Sequence, residues 1–246
     1  MSIALAIAVA LTFLIAGFVK GVVGLGLPTV SVGLLGLLMT PAEAASLLIV
    51  PSLVTNLWQL AAGSRLIPII RRLWPMCIGI VLGTWAGGDL LLAGPSARAT
   101  AALGMALVIY AGLGLVAWHL RVSARAERWL SPVIGATTGA LTAATGVFVV
   151  PAVPYLQTLA LERDDLVQAF GLSFTVSTLA LAAALARSEV FHLTAVGASF
   201  AALAPAILGM VVGQRIRSRV RPELFRRCLF CGLLVLGGDL VLRGIV

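Results

Sequence analysis

Lys20 is the only lysine among the chain's 17 basic residues, and it lies inside an apolar run extending from Ile3 to Met39. An ammonium in such surroundings is costly unless it is paired, hydrogen-bonded or hydrated. Two readings stand for it. Either it supplies the counter-charge for an anion, or the first helix spans fully and the side chain snorkels to the surface near its end. Gly17, Gly21, Gly24 and Gly26 punctuate the same run, and Pro28 follows them. Gly24 and Gly26 leave a turn without side chains in a ligand's way, and Pro28 suits the first turn of a helix that starts there. A helix that begins inside a membrane presents unpaired N–H groups and the positive end of its dipole, which is an anion-binding arrangement.

A second source of hydrogen bonds follows in sequence. Ser52, Thr55, Asn56 and Gln59 recur at i, i+3, i+4 and i+7 on an otherwise apolar helix, a stripe that cannot face lipid cheaply. Asn56 and Gln59 are expected to line a substrate path; bridging between neighbouring helices is the other use of such residues. A weaker set lies in the second half, where Thr142, Thr145, Gly146 and Pro151 are followed by Gln168, Ser173, Ser177 and Thr178. The candidate substrate-binding residues are therefore Lys20, Gly24, Gly26, Pro28, Asn56, Gln59, Thr142, Thr145, Gly146, Pro151, Gln168 and Ser177.

The elements that must position these groups are membrane helices. With 61% hydrophobic and 11% charged residues, and a mean hydropathy of +1.11, the chain falls in the polytopic membrane class and not among soluble domains. About 20 residues cross the hydrocarbon core, so the run from Ile3 to Met39 is too long for one helix. It is a broken helix, a re-entrant hairpin or two crossings, and each puts irregular backbone where only a protein-lined cavity tolerates it. Thr40-Pro41-Ala42-Glu43 then reads as a helix start with a capping box. Further helices are expected over about 42–62, 67–88 and 97–119, the second carrying Pro75, Gly79 and Gly83 as a flat packing stripe. The opening helix lacks a basic leader and a clear cleavage site and is read as retained.

The pattern repeats. Gly139-x6-Gly146 matches Gly17-x6-Gly24, residues 164–186 match the Ser52–Gln59 helix at an offset of 122, and Pro205-x3-Gly209-x3-Gly213 matches Pro75-x3-Gly79-x3-Gly83. Pro95 and Pro222 each precede a final helix. Matches in one order predict a duplication: a first repeat over 1–120, a basic connector over 121–130 and a second repeat over 131–246. If each glycine-rich run crossed once, the basic residues would divide evenly between the two faces. If each leaves and returns on one side, Arg65, Arg71, Arg72, Arg121, Arg125, Arg128, Arg163 and the run from Arg215 to Arg227 share a face. Only Arg98, Arg187 and Arg243 then lie on the other. The positive-inside rule favours the second arrangement, with inverted repeats, both termini outside and about 15 residues per hairpin arm in the second half. The expected fold is an all-α polytopic membrane protein of two inverted repeats, each a broken or re-entrant hairpin followed by three transmembrane helices.

The order of a glycine-rich run, a proline, a short loop, the Ala44 to Leu47 stretch Ala-Ala-Ser-Leu and a Pro-x3-Gly-x3-Gly helix, repeated once, resembles the TauE/SafE family of sulfite exporters and organosulfur permeases. The family's usual run of consecutive glycines is replaced here by Val23-Gly24-Leu25-Gly26-Leu27-Pro28 and by Ala144-Thr145-Gly146-Val147-Phe148. The resemblance implies a secondary transporter of small sulfur-containing anions, such as sulfite or organosulfonates, in the bacterial inner membrane.

Other functions find less support in the residues. The net charge of +8 sits in short loops, without a basic helix or aromatic platform, so nucleic acid is not an expected partner. Cys228-x-x-Cys231 lacks partner histidines and reads as helix packing, and His119 and His192 fall near helix ends, so no metal or cofactor is expected. No paired deep aspartates, His-Glu-x-x-His or serine with a convincing base supports an enzyme. Trp58, Trp74, Trp85, Trp118 and Trp129 read as interfacial anchors, and Asp89 and Asp239 as solvated helix ends. The expected partners are a small anion, the lipid bilayer and, in a homo-oligomer, a second copy of the chain. The alternatives kept open are a non-transporting scaffold and a transporter of another small organic anion.

Overall fold

The apolar runs condense into ten α-helices among the described residues of a computed structural model, which are 2–87, 96–116, 121–187, 193–217, 219 and 221–245. They are α1 (Ile3–Val23), α2 (Leu27–Leu35), α3 (Pro41–Ala61), α4 (Leu66–Ala86), α5 (Ser96–Val116), α6 (Ala124–Thr145), α7 (Ala152–Thr158), α8 (Arg163–Leu185), α9 (Leu193–Ile216) and α10 (Pro222–Ile245). Seven of them, α1, α3, α4, α5, α8, α9 and α10, are long and apolar enough to cross a membrane. The chain is thus an all-α polytopic membrane protein. Asp89, Pro95, Trp118, His119 and His192 lie outside the described residues.

Local chemistry sets the helix ends. Thr40 caps α3 with both reciprocal bonds of a capping box: its hydroxyl accepts from the Glu43 N–H, and the Glu43 carboxylate accepts from the Thr40 N–H at 2.9 Å. Ser123 caps α6 in the same manner, accepting from the Ala126 N–H. That cap moves a boundary. Most of the expected connector over 121–130 is the opening of α6, and Arg72 holds it by a bidentate pair with Glu127 at 2.6 and 2.8 Å. The second hairpin therefore has arms of 22 and 7 residues instead of two near 15.

Glycines decide which helices touch. A Cβ on Gly17 or Gly21 would strike the carbonyls of Ala206 or Met210, and one on Gly209 or Gly213 the carbonyls of Leu14 or Phe18, so α1 and α9 pack backbone to backbone. Gly79 and Gly83 meet Gly135 and Ala136 in the same way, joining α4 to α6. In both pairs the residue numbers rise together, so the helices run parallel. The remaining principal pairs run antiparallel: Ser52 meets Thr178 while Leu60 meets Gln168 in α3 and α8, and Gly104 meets Gly237 while Gly114 meets Phe230 in α5 and α10. Every one of these partnerships joins a helix of the first half to one of the second.

The first glycine-rich run is a hairpin of unequal arms. Ser199 of α9 bonds Leu47 and Val50 of α3, seven residues before Ala206 of α9 meets Gly17 of α1, whereas Lys20 reaches Thr55 and Asn56. Movement along α1 is thus movement along α3 in the same sense. The nine-residue α2 and the turn after it bring the chain back to where α3 begins. Leu27 and Phe148, one near each hairpin tip, are completely buried. Trp58, Trp74, Trp85 and Trp129 are all more than half exposed, as side chains directed at lipid or the interface should be.

Candidate functional site

The polar stripe of α3 is presented by a break in the helix. Pro51 has no N–H, which leaves the Leu47 carbonyl without its ordinary partner. Ser199 repairs the gap from α9: its hydroxyl donates to Leu47 O at 2.9 Å and accepts from the Val50 N–H at 3.1 Å. The next turn carries Ser52, Thr55 and Asn56, all fully buried. Thr55 donates to Pro51 O at 2.7 Å, so its lone pairs stay available to a donor.

That donor is Lys20. Only 3% of it is exposed, and its Nζ donates to Thr55 Oγ1 at 3.0 Å and, by a closer bond, to Asn56 Oδ1. The Asn56 amide nitrogen donates onward to Ser52 Oγ at 3.0 Å and to Thr178 Oγ1 of α8 at 3.3 Å. Thr178 in turn donates to Phe174 O at 2.7 Å. The acceptors in this network are all neutral. Among the described residues the ion pairs are Arg65–Asp165, Arg72–Glu127 and Arg243–Asp239, and none involves Lys20. Two of the three ammonium donors are engaged, and Lys20 has no carboxylate partner among the described residues.

The tip beside it is also held by α3. Gly24 ends α1 at φ +85°, Gly26 opens α2 at φ +105°, and Gln59 Nε2 donates to the Gly24 carbonyl at 2.6 Å. Both glycines occupy the left-handed region that side chains disfavour. Pro28 is the second residue of α2, where it presets the helical turn without offering an N–H. The other amide atom of Gln59, Oε1, is buried without a partner. Lys20, Gly24, Asn56 and Gln59 thus form one cluster, with Gly26 and Pro28 at its edge.

The second tip differs. Gly146 ends α6 at φ +73°, but the residues that follow, Val147 to Val150, are apolar and buried, and Phe148 packs on Phe174. Thr142 and Thr145 donate back to Thr138 O and Leu141 O within their own helix, each at 2.7 Å. Pro151 precedes a helix of only seven residues. Ser177 is buried with no partner for its hydroxyl.

Two expectations change. Gly24 lies beside Gln59, whereas a Cβ on Gly146 would meet Ala45, and the helical rise between those two α3 residues is roughly 20 Å. One small anion therefore cannot lie between the tips. The long first arms, α1 and α6, carry each tip past the other. Gln168 does not join the cluster's hydrogen bonds: its amide accepts from Arg65 N–H and donates to the carbonyls of Leu60 and Gly63, closing the end of α3. Thr178, which the sequence reading left outside the candidate set, is instead in the network. Its signal was the offset of 122, which pairs it with Asn56, the residue it contacts.

No match occurs among curated proteins or among solved structures. The family model described as "Sulfite exporter TauE/SafE" matches residues 9–240, which includes both hairpin tips, the buried lysine and all or most of each helix named above. The chain belongs to the TauE/SafE sulfite exporter family of integral membrane transporters.

Proposed function

We propose that the protein is a secondary transporter of small sulfur-containing oxyanions, sulfite or organosulfonates, working by alternating access between two inverted halves in the bacterial inner membrane. The observation that carries this reading is Lys20: a buried ammonium with hydrogen-bond acceptors but, among the described residues, no carboxylate partner. Leaving a charge in the membrane interior costs about 3 kcal/mol or more, and a bound anion removes that cost. The neighbouring Gly24 carbonyl and Asn56 are already tied to α3 and α8, so an anion at Lys20 bridges the first hairpin to both halves. Antiparallel packing of the equivalent helices α3 and α8, and of α5 and α10, supports the inverted relation, because halves related by an axis along the membrane normal would keep equivalent helices parallel. Family membership supports the class of substrate.

The test is uptake of radiolabelled sulfite, methanesulfonate and a panel of small carboxylates into proteoliposomes. Sulfite or sulfonate flux that disappears in Lys20→Met, with the variant folded and inserted, is the expected result. No flux of any anion in the wild type overturns the proposal, and flux of carboxylates alone replaces its substrate class.

A further inference from the structure

A cavity of about 810 Å³ opens on the arginine-rich side of the molecule, between the ends of α5, α7 and α9 and the starts of α8 and α10. Its wall includes Val23 and Leu25, the residues that flank Gly24 at the first tip. The Gly24 N–H bonds the Lys20 carbonyl at 2.7 Å, so the Lys20 backbone lies one helical turn before this wall, with its ammonium directed at Thr55 and Asn56 of α3. Around the cavity stand Arg121, Arg163, Arg217 and Arg226. None of the four makes a salt bridge among the described residues, in contrast to Arg65 and Arg72 on the same side, which have Asp165 and Glu127. Arg163 and Arg217 are close enough to repel one another, and Asp164, which shares a shallower hollow with them, only partly offsets it. Topogenic arginines need only reach the membrane surface; they do not need to surround a cavity or to leave like charges facing each other. Arg121, Arg163 and Arg226 are exposed and Arg217 is half-buried; four guanidiniums without salt bridges around one cavity concentrate anions there, and their planar forks suit the paired oxygens of a sulfonate or sulfite.

We infer that this arginine-lined cavity is an anion-collecting antechamber, through which a small oxyanion reaches the Lys20 site from the arginine-rich side. The inference rests on the proposed transport function and adds to it the loading route and the groups that set apparent affinity. Lys20 holds the anion at the transport site; the arginines act earlier, by raising its local concentration. They therefore affect KM and its salt dependence more than the maximal rate.

The experiment measures radiolabelled sulfite flux in proteoliposomes, as KM and maximal rate, at about 0.05 and about 0.5 M inert salt. Wild-type KM is expected to rise with salt. In Arg163→Gln/Arg217→Gln, KM at low salt rises about fivefold, its salt dependence flattens and the maximal rate stays within about twofold. Arg163→Lys/Arg217→Lys retains the salt dependence. The separate pair Arg121→Gln/Arg226→Gln, placed on other helices, gives the same direction of change if the first pair fails to fold. Wild-type flux with unchanged KM in both neutralised pairs overturns the antechamber alone. Absence of wild-type flux overturns the transport proposal and this inference with it.

Discussion

At the first hairpin tip Gly24 ends a long helix in the left-handed conformation, and at the second Gly146 does the same, 122 residues later, the offset that also relates the Ser52–Gln59 helix to residues 164–186. The backbones agree, but the side chains do not. The offset carries Lys20 onto Thr142, Asn56 onto Thr178 and Gln59 onto Leu181. Where the first tip has an ammonium bonded to α3, the second has a hydroxyl bonded back to its own helix and an apolar loop sealed by Phe148. Both tips serve packing: each half's glycine-lined helix closes against the other half. On the proposed function only the first also binds an anion, and the second is apolar.

The largest test of that asymmetry is substitution of equivalent residues. Lys20→Met should lower sulfite flux by at least about 100-fold, since it removes both the charge and two donors. Its melting temperature should stay level or rise, because an apolar side chain of similar length replaces an uncompensated charge. Thr142→Val should change flux by less than about twofold, as its hydroxyl serves only its own helix. Equal loss at both positions would dissolve the distinction between the tips.

Asn56→Asp comes next. A carboxylate beside Lys20 supplies an internal counter-ion, which should raise the KM for sulfite by about tenfold while stabilising the substrate-free protein. Thr178→Val, across the same contact, should cost about threefold, the value of one neutral hydrogen bond. A fall in KM in Asn56→Asp would show that Lys20 does not meet the anion.

The glycines reverse the ranking. Alanine is strained at either φ, at about 1 kcal/mol. At Gly146 the new Cβ would also fall 2.9 Å from the Ala45 Cβ, whereas at Gly24 only the Gln59 amide comes within 4 Å, at 3.9 Å. Gly146→Ala should therefore lose about 2 kcal/mol in thermal or denaturant unfolding and Gly24→Ala about 1. Smallest of all, Gln168→Ala should lower stability by about 1 kcal/mol through the unpaired carbonyls of Leu60 and Gly63, and leave the KM for sulfite unchanged.

Local rules made much of the fold readable in advance. Thr40 and Glu43 announce a capping box that needs no tertiary information, and the four-residue spacing of Gly79 and Gly83 announces a helix contact, although not its partner. The stripe of Ser52, Thr55 and Asn56 was visible because polar groups on an apolar helix need partners. Arm length was not. Arg125, Glu127 and Arg128 look like a solvated connector, and only the pairing of Glu127 with Arg72, 55 residues away, shows why they continue a helix. That extension carries the tips past each other. Gln168 shows a related limit: a buried amide looks the same in sequence whether it meets a ligand or, as here, bonds the end of a helix.

The neutrality of the Lys20 surroundings has an electrical consequence. With a monovalent anion bound, the site is uncharged overall, and its reorientation across the membrane does little work against the transmembrane potential. On the proposed transport cycle, with Lys20 as an ammonium, the empty site carries one positive charge, and moving one full charge through the field corresponds to about 2.3 kcal/mol per 100 mV. The voltage-sensitive limb of that proposed cycle is the return of the unloaded carrier. Anion exchange, which never visits that limb, should run at the same rate under an imposed diffusion potential that accelerates or stalls net flux.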